Sequence, residues 1–399
     1  MRILRQAVRG LAFAAGAIFI GLLHLARPLR KIKIGRIRTD RIGHLACNTD
    51  GFLRKRALGR VEQCVSRIFI AGAPCNRQLL DMIKRVLPVV ESDRLAKLHD
   101  ICVPLLQRTP LWEPMPFSPR AHAEFNAAPS QLSFTPEEEE RGRLFLSSVG
   151  LQNKDWFICF HNRDSAYLQR EQPGRDWSYH DYRDCDVKNF LPAAEYITRL
   201  GGFAFRMGSA VSEPLGDMAN PRLINYAAKY RDDFLDIYLL AKCRFMLGCD
   251  TGLTLVATAF DTPVVYTNSA RLDFAPFLER DIFIQKKYFD EAAGRVLSYR
   301  DILARGHEYF LNSSYLSEHR LHLVENTAAE ILDATREMQE RLAGIFQESP
   351  EDREWQQRYR ALFTARHTCY AHQSHIGRDF LRRNKDVLFE NPLPKNGVA

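Results

Sequence analysis

The sequence predicts an α/β protein with two parallel-sheet domains behind an apolar N-terminal helix. Short apolar runs alternate with amphipathic segments along most of the 399 residues, a pattern typical of parallel α/β domains. The chain is 46% hydrophobic and 26% charged, which indicates folded cores. We expect a membrane-associated helix, two α/β domains and a charged helical tail at residues 1–30, 31–134, 135–345 and 346–399.

The first element is a run of 17 uncharged residues, Gly10 to Ala26, with arginines and lysines on both sides. A spanning helix needs about 20 apolar residues, and a cleaved signal peptide needs small residues before its cut site. The run therefore favours a helix that lies in the membrane surface, with a single span as the alternative. We expect the protein at the cytoplasmic face of the inner (plasma) membrane.

The net charge supports this interpretation because it is concentrated around the apolar run. Residues 1–60 hold fourteen Lys and Arg against two acids, so the other residues carry about −4 of the overall +8. Such a basic segment indicates anionic lipid as its partner. A nucleic-acid-binding protein more often spreads basic charge over a folded face, so we expect no nucleic-acid partner.

In the first domain, strands are predicted at 32–37 and 67–70 and a helix at 79–87. Residues 108–130 are rich in Pro and Ala, and we expect a linker or crossing loop there. The second domain opens with a helix whose N-cap is Thr135. Its strands are predicted at 156–160, 203–206, 223–226, 244–248 and 264–267, and its helices at 187–200, 233–242, 253–260 and 327–342. This order predicts a doubly wound, Rossmann-like sheet.

Three strand ends of the second domain carry polar chemistry, and ligands bind at the carboxyl ends of such strands. The helix after the turn at 250–252 presents free N–H groups to a diphosphate, and arginines hold phosphate oxygens through paired hydrogen bonds. We therefore predict a nucleotide site. Its candidate residues are His161, Arg163, Asp164, Arg206, Gly208, Ser209, Asp250, Thr251 and Gly252.

No metal site is predicted. Asp184 and Asp186 form a DxD pattern, but Asp186 directly precedes a helix and suits a cap. His367, Cys369, His372 and His375 fit no standard zinc spacing. Because they lie in a charged tail, we interpret them as a solvated helix face.

These residues also resemble a known family. CDTGLTLVATAFDTPVVYTN at 249–268 resembles the signature of the lipopolysaccharide heptosyltransferases, and RTDRIGHLA at 38–46 resembles their first strand and turn. HNRDSAY, the segment from YRDCDVKNF to FRMGS, and VENTAAEI are similar to a group of bacterial glycosyltransferases. The resemblance covers about residues 36–340. It implies two Rossmann-like domains (the GT-B fold), no obligatory metal or other cofactor, and a nucleotide-sugar donor in the C-terminal domain.

The resemblance also implies roles for single residues. Asp250, Thr251 and Gly252 fall on the donor-binding turn. Gly43 falls on the glycine of the family's first strand and turn, on the acceptor side. His161, Arg163 and Asp164 resemble the H-R-D stretch of fucosyltransferase-like enzymes, whose arginine contacts the donor diphosphate. Heptosyltransferases place a general-base aspartate after that glycine, but this chain has His44. His44 and Asp40 are both candidates for the base.

The predicted reaction is transfer of a sugar from a nucleotide-sugar donor to a cell-surface glycan or lipid-linked acceptor. Glu325 precedes a capped helix and is a candidate for the donor ribose or base, with capping or an exposed ion pair as equal alternatives. Two other functions stay open. The first is a nucleotide-sugar epimerase or hydrolase of the same fold, and the second is a non-catalytic glycan-binding protein.

Overall fold

The computed structural model describes residues 2–26, 30–163, 176–208 and 220–389. The chain forms two compact units. Unit 1 comprises the residues up to 118 together with 127–139, and unit 2 comprises 119–126 and the residues from 140 onward. The described part of the charged tail, 346–389, therefore belongs to unit 2.

Unit 1 is a mixed α/β unit with a parallel four-stranded sheet in the order β3-β2-β1-β4. Its elements are α1 (Arg2–Ala26), β1 (Ile32–Arg36), α2 (Ile42–Ala57), β2 (Ser66–Ala71), α3 (Arg77–Val86), β3 (Val89–Glu91), α4 (Asp93–Leu106) and β4 (Trp112–Glu113). The predicted strands at 32–37 and 67–70 and the helix at 79–87 are confirmed. Gly35 lies opposite Phe69, where an added Cβ would stand 2.7 Å from the phenyl ring.

The segment 108–130, expected to be a linker or crossing loop, does pass from unit 1 into unit 2 and back, but the expectation that it lacks regular structure is wrong. Strand β4 pairs in parallel with β1, and a short helix, α5 (His122–Ala127), follows. Leu111 is fully buried beside the strand. Only two residues of β4 pair, so the local sequence carries too short a pattern to indicate a strand; its pairing comes from the tertiary position of β1.

Helix α1 packs along α4 through an apolar cluster that contains Ile20, Cys102 and Leu106. The described helices include none with both the length and the apolar composition that crossing a bilayer requires.

Unit 2 contains a parallel seven-stranded sheet in the order β14-β10-β9-β8-β5-β6-β7 and a separate antiparallel sheet in the order β12-β11-β13. Its strands are β5 (Phe157–His161), β6 (Phe203–Arg206), β7 (Leu223–Ile224), β8 (Met246–Gly248), β9 (Val264–Ser269), β10 (Ile282–Gln285), β11 (Lys287–Asp290), β12 (Arg295–Val296), β13 (Leu321–Val324) and β14 (His375–Ile376). Its helices after α5 are α6 (Pro136–Ser148, which begins in unit 1), α7 (Leu191–Arg199), α8 (Tyr226–Lys229), α9 (Asp233–Lys242), α10 (Gly252–Ala259), α11 (Tyr299–Ala304), α12 (Ser313–Glu318), α13 (Ala328–Leu342), α14 (Pro350–Arg360) and α15 (Arg378–Leu388), with 3₁₀ turns at Ser178–Arg183 and Val187–Phe190.

The predicted start signals of two helices in this part of the chain are confirmed. The backbone N–H of Glu138 donates to Thr135 Oγ1 at 3.3 Å, and the N–H of Thr135 donates back to the Glu138 carboxylate at 2.8 Å. Thr327 and Glu330 make the same reciprocal pair at the start of α13. Each pair satisfies two backbone donors that the helix itself leaves without partners, which is why these ends could be placed from sequence.

The expectation that the histidines of the tail form a solvated helix face is wrong. His367, Cys369 and His372 are buried in irregular backbone between α14 and β14. Burial lowers the pKa of His372 to about 3, so its imidazole is neutral. The described residues hold no group of three or more His, Cys, Asp or Glu side chains arranged to bind a metal. Strand β14 pairs with β10, so the charged segment before it lies against the core. This pairing joins residues far apart in sequence, and the charge of the segment alone does not predict it.

The carboxyl of Asp281 predicts a pH-dependent stability for unit 2. It is fully buried and accepts the backbone N–H groups of Val264 (2.8 Å) and Leu278 (3.1 Å). Burial raises its pKa to about 7, above the value of the unfolded chain. The folded state therefore holds this proton more tightly, and the stability that it contributes is full below pH 3.8 and is lost as the pH rises through 7.

We expect Asp281→Asn to remove this dependence. Between pH 5 and pH 8, the free energy of unfolding of the parent should fall relative to that of the variant by about 3 kcal/mol, at about 1.4 kcal/mol per pKa unit. Urea unfolding at both pH values, followed by a probe in unit 2, measures the difference. A gap between the two proteins that stays constant with pH would contradict the prediction.

Candidate functional site

The topology of the large sheet in unit 2 creates a crevice between β5 and β8. From β5 the chain steps to β6 and β7 on one side, and from β8 to β9 and β10 on the other. The loops that follow β5 and β8 therefore run in opposite directions, and such a switch point is where open parallel sheets bind ligands. The two loops meet there: the backbone N–H of Arg163 donates to Cys249 Sγ at 3.1 Å.

Asp250, on the loop after β8, is held by arginines. Arg183 Nη2 lies 2.9 Å from Asp250 Oδ1 and also donates to its carbonyl oxygen at 2.9 Å. Burial would raise the pKa of Asp250, but Arg183, Arg271 and Arg163 outweigh it and hold that pKa below its usual value. Asp250 is therefore an ionised carboxylate that positions Arg183 at the crevice.

Asp184 anchors two further cations at the same edge of the sheet. Arg163 Nε lies 3.0 Å from Asp184 Oδ1, and Lys286 Nζ donates to the Asp184 carbonyl oxygen at 2.6 Å. Arg163, Arg183, Arg271 and Lys286, which we call the cation cluster, therefore surround two carboxylates. Asp273 beside Arg271, and Asp181, Asp186 and Glu325 on the adjoining cleft, add negative charge, so the cluster offers guanidinium and ammonium donors to an anionic group and not a net positive charge.

Sequence reasoning found Arg163 but missed the other three members of the cation cluster. Arg271 lies two residues after β9, and Lys286 directly follows β10. Both obey the strand-end rule that identified Arg163, but β10 was not predicted and the end of β9 was placed two residues early. Arg183 ends a 3₁₀ turn and has no local signal.

A cleft of about 620 Å³ opens beside the cation cluster, which is enough for a nucleotide or a sugar. Its lining combines cations, acids and hydroxyl groups with a few apolar side chains. The lining residues are Asn162, Arg163, Asp181, Tyr182, Asp184, Cys185, Asp186, Val187, Lys286, Ser313, Leu316, Ser317, Leu321, His322, Leu323 and Glu325.

Helix α10 begins at the crevice with Thr251 as its N-cap. The Thr251 side chain makes no capping hydrogen bond, and its buried Oγ1 has no hydrogen-bond partner among the described residues. Thr254 Oγ1 instead donates to the Thr251 carbonyl oxygen at 2.7 Å. The Thr251 side chain thus leaves the N–H groups that follow Gly252 for another acceptor, which is the arrangement that binds phosphate at a helix start.

The other predicted residues near β5 and β6 are placed differently. His161 Nδ1 lies 3.0 Å from the Met207 carbonyl oxygen, so this side chain links the ends of the two strands. Arg206 is only 1% exposed and does not line the cleft. Gly208 has φ = +139°, which favours glycine. Asp164 and Ser209 lie outside the described residues.

Glu325 and Asp186 meet at the edge of the cleft. Glu325 Oε2 accepts the backbone N–H of Asp186 at 3.1 Å, and the Asp186 side chain accepts the N–H of Lys188 at 2.8 Å. The capping role predicted for Asp186 is confirmed. Glu325 lines the cleft, so it remains a candidate for a ligand hydroxyl.

In unit 1, the two candidate bases His44 and Asp40 lie in different surroundings. His44 lies in the first turn of α2, after Gly43, which is buried. Asn48 Nδ2 donates to the Met115 carbonyl oxygen at 2.9 Å, so Asn48 Oδ1 faces His44 Nδ1 at 3.3 Å. This orientation makes Nδ1 the protonated nitrogen of His44 and leaves the lone pair on Nε2.

His44 and Asp40 also differ in charge state and in exposure. Burial lowers the pKa of His44, and the positive charge of Arg38 lowers it further. The imidazole is therefore neutral at pH 7 and can accept a proton. Asp40 is 56% exposed and pairs with Arg38 at 3.1 Å. Burial would raise the pKa of Asp40, but the hydrogen bond and charge of Arg38 lower it overall. Asp40 is therefore a weak base that is already engaged.

No protein-family model matches the sequence, and no curated protein is found as its relative. Among solved structures, the chain is similar to a glycosyl transferase family 9 protein from Veillonella parvula DSM 2008, at 12% identity and a TM-score of 0.49, over 79% of this chain and 98% of that chain. It is also similar to ADP-heptose lps heptosyltransferase II of E. coli, at 18% identity and a TM-score of 0.39, over 59% and 84% of the two chains.

A third similar structure is the iron-containing dodecameric glycosyltransferase TibC from enterotoxigenic E. coli H10407. It shares 12% identity with a TM-score of 0.35, over 62% of this chain and 63% of that chain. These structural neighbours are glycosyltransferases, but all three TM-scores lie below 0.5, so the function of this protein has to be argued from its own residues.

Proposed function

We propose that the protein is a glycosyltransferase of the two-Rossmann-domain (GT-B) kind. It transfers a sugar from a nucleoside diphosphate sugar to a hydroxyl of a cell-surface glycan or of a lipid-linked precursor. The observation that carries the proposal is the cation cluster at the β5–β8 switch point, beside the start of α10. A diphosphate is the ligand that both features suit, because the cluster offers guanidinium and ammonium donors and the helix start offers backbone N–H groups.

Unit 2 holds the donor in this proposal. Arg163 and Lys286 bind the diphosphate. As the bond between sugar and diphosphate breaks, negative charge grows on the diphosphate, and these two fixed cations stabilise it. These cations replace a divalent metal, so the reaction needs no cofactor. The acids on the cleft lining, among them Asp186 and Glu325, accept hydrogen bonds from ribose or sugar hydroxyl groups.

Unit 1 supplies the general base. His44 Nε2 takes the proton of the attacking acceptor hydroxyl, and Asn48 holds the ring in the tautomer that this step requires. Asn48 is a positioning residue because it acts through His44. This assignment selects His44 over Asp40 as the base.

Nucleotide binding tests the donor site directly. The protein should be stabilised by one of UDP, GDP, ADP, CMP or dTDP, by about 2.7 kcal/mol at about a hundred times its dissociation constant. Arg163→Gln should lose this stabilisation. Arg143→Gln is the matched control, because Arg143 is 53% exposed on α6 and pairs with Glu140 of the same helix. A folded parent protein that no nucleotide stabilises would contradict the proposal.

Product analysis with the sugar derivative of that nucleotide then separates the reactions. A transferase lengthens the lipid-linked or glycan acceptor and releases the nucleotide. An epimerase returns an isomeric nucleotide sugar, and a hydrolase releases free sugar without an acceptor. Binding without turnover would favour the glycan-binding alternative.

A further inference from the structure

One face of α1 is already occupied within unit 1. Ile20 is 6% exposed and packs with Cys102 and Leu106 of α4. Gly16 lies on the same face, where an added Cβ would stand 2.2 Å from Cys102 Sγ. The missing side chain at this position therefore lets the two helices approach closely.

The opposite face of α1 is apolar and exposed. Leu11, Ile18, Leu22 and Leu25 are 73%, 68%, 60% and 76% exposed. At about 100° per residue, Ile18 projects about 160° away from Ile20, and the other three side chains lie within about 40° of Ile18. These four residues, which we call the α1 stripe, extend over about 21 Å at 1.5 Å per residue. A continuous aliphatic stripe of this kind marks an interaction surface.

The charge around the stripe identifies its partner. Arg9 near its start and Arg30 and Lys31 beyond its end are exposed, and the segment holds no acid before Asp40. At about 100° per residue Arg9 projects from the α4 side of the helix, and Lys31 also pairs with Glu62 at 3.3 Å, so the positive charge flanks the stripe at its two ends and does not line it. A second copy of the same helix would bring these like charges together. An anionic lipid surface complements them, because its headgroups attract the cations while its acyl chains accept the aliphatic side chains.

We propose that the α1 stripe binds the surface of an anionic lipid bilayer, with α1 lying in the plane of the membrane and its other face still packed on α4. The helix cannot be surrounded by lipid while it keeps the contacts of Ile20 and Gly16. The proposal does not depend on the transfer reaction, since it concerns only α1 and its neighbours.

Vesicle flotation of the full chain tests the proposal. The protein should bind vesicles of phosphatidylcholine with about 30% phosphatidylglycerol and bind pure phosphatidylcholine more weakly. Ile18→Gln/Leu22→Gln, and separately Leu11→Gln/Leu25→Gln, should each reduce binding about tenfold or more, since two aliphatic side chains leave the apolar phase. Leu144→Gln/Ile345→Gln is the matched control, because these side chains are 54% and 68% exposed in unit 2; it should bind as the parent does.

Equal binding by the parent and both stripe variants would overturn the proposal, and so would a parent that binds neither kind of vesicle. Sedimentation without lipid adds a further outcome. A parent that forms dimers, binds no vesicle and becomes monomeric in the stripe variants would assign the stripe to contact between copies. Nucleotide stabilisation of the same variants shows separately whether the donor site is intact.

Hydrogen exchange tests whether the other face of α1 is docked. Gly16→Leu should force α1 away from α4 and speed amide exchange across residues 12–24 in the absence of lipid. Unchanged exchange would overturn the docked orientation.

Discussion

Replacing Arg163 by glutamine is expected to lower kcat/KM for sugar transfer by about 10²- to 10³-fold, the usual effect of removing one group that stabilises transition-state charge. Arg163 lines the cleft, and its backbone joins the loops after β5 and β8. Lysine at this position restores charge but not the paired hydrogen bonds, so Arg163→Lys should recover only part of the activity. Steady-state kinetics with the nucleotide sugar that the binding test identifies measures both variants.

A structural explanation of the same loss can be separated from the catalytic one. Removing Arg163 breaks its ion pair with Asp184, which by itself disturbs the cleft. The double variant Arg163→Gln/Asp184→Asn removes both charges and restores local neutrality. We expect its activity to stay low, because the diphosphate still lacks the arginine; recovery of activity in the double variant would assign Arg163 a structural role.

His44→Gln is expected to lower kcat by about 10²- to 10⁴-fold, the range that general-base catalysis supplies. Asp40→Asn should change kcat by less than about fivefold, since the exposed Asp40 is paired with Arg38 and is not the base. The opposite ranking of the two losses would transfer the role of base to Asp40. Single-turnover rates compare the variants without interference from product release.

The pH profile distinguishes a base from a merely structural histidine. Because burial lowers the pKa of His44, the rate should already be on its plateau at pH 7 and fall only below pH 6.5. Asn48→Asp places a carboxylate next to the His44 Nδ1–H, favours the imidazolium and raises the pKa of His44. The acidic limb of the profile should then move to higher pH, with the plateau rate largely kept. A limb that does not move in this variant would contradict the assignment of His44.

Much of unit 2 could be predicted from the sequence because its signals are local. The helix at Asp233–Lys242 and the strand at Phe203–Arg206 have the ends predicted for them, and the strand begins directly after the glycine pair 201–202, a signal carried by consecutive residues. The strand-end rule likewise assigns Arg163 and Asp250 to one crevice.

The site was predicted less completely than the fold, because its charges come from distant segments. Lys286 contacts the carbonyl of Asp184, 102 residues away in sequence. Arg183 and Asp250 pair across 67 residues. No local pattern distinguishes such residues from the many surface arginines and lysines of the chain, so only the fold could show that they converge.

The sequence by itself therefore determined the α/β class, the order of most elements and the strand ends that form the crevice. Those features follow from hydrophobic period, capping and turn residues, which act over one or two helical turns. The tertiary structure alone decided that Arg183, Arg271 and Lys286 complete the cation cluster, that Asn48 orients His44, and that the tail histidines are buried. Each of these features depends on contacts between residues far apart in sequence. Such contacts form only in the folded chain, so no local pattern in the sequence predicts them.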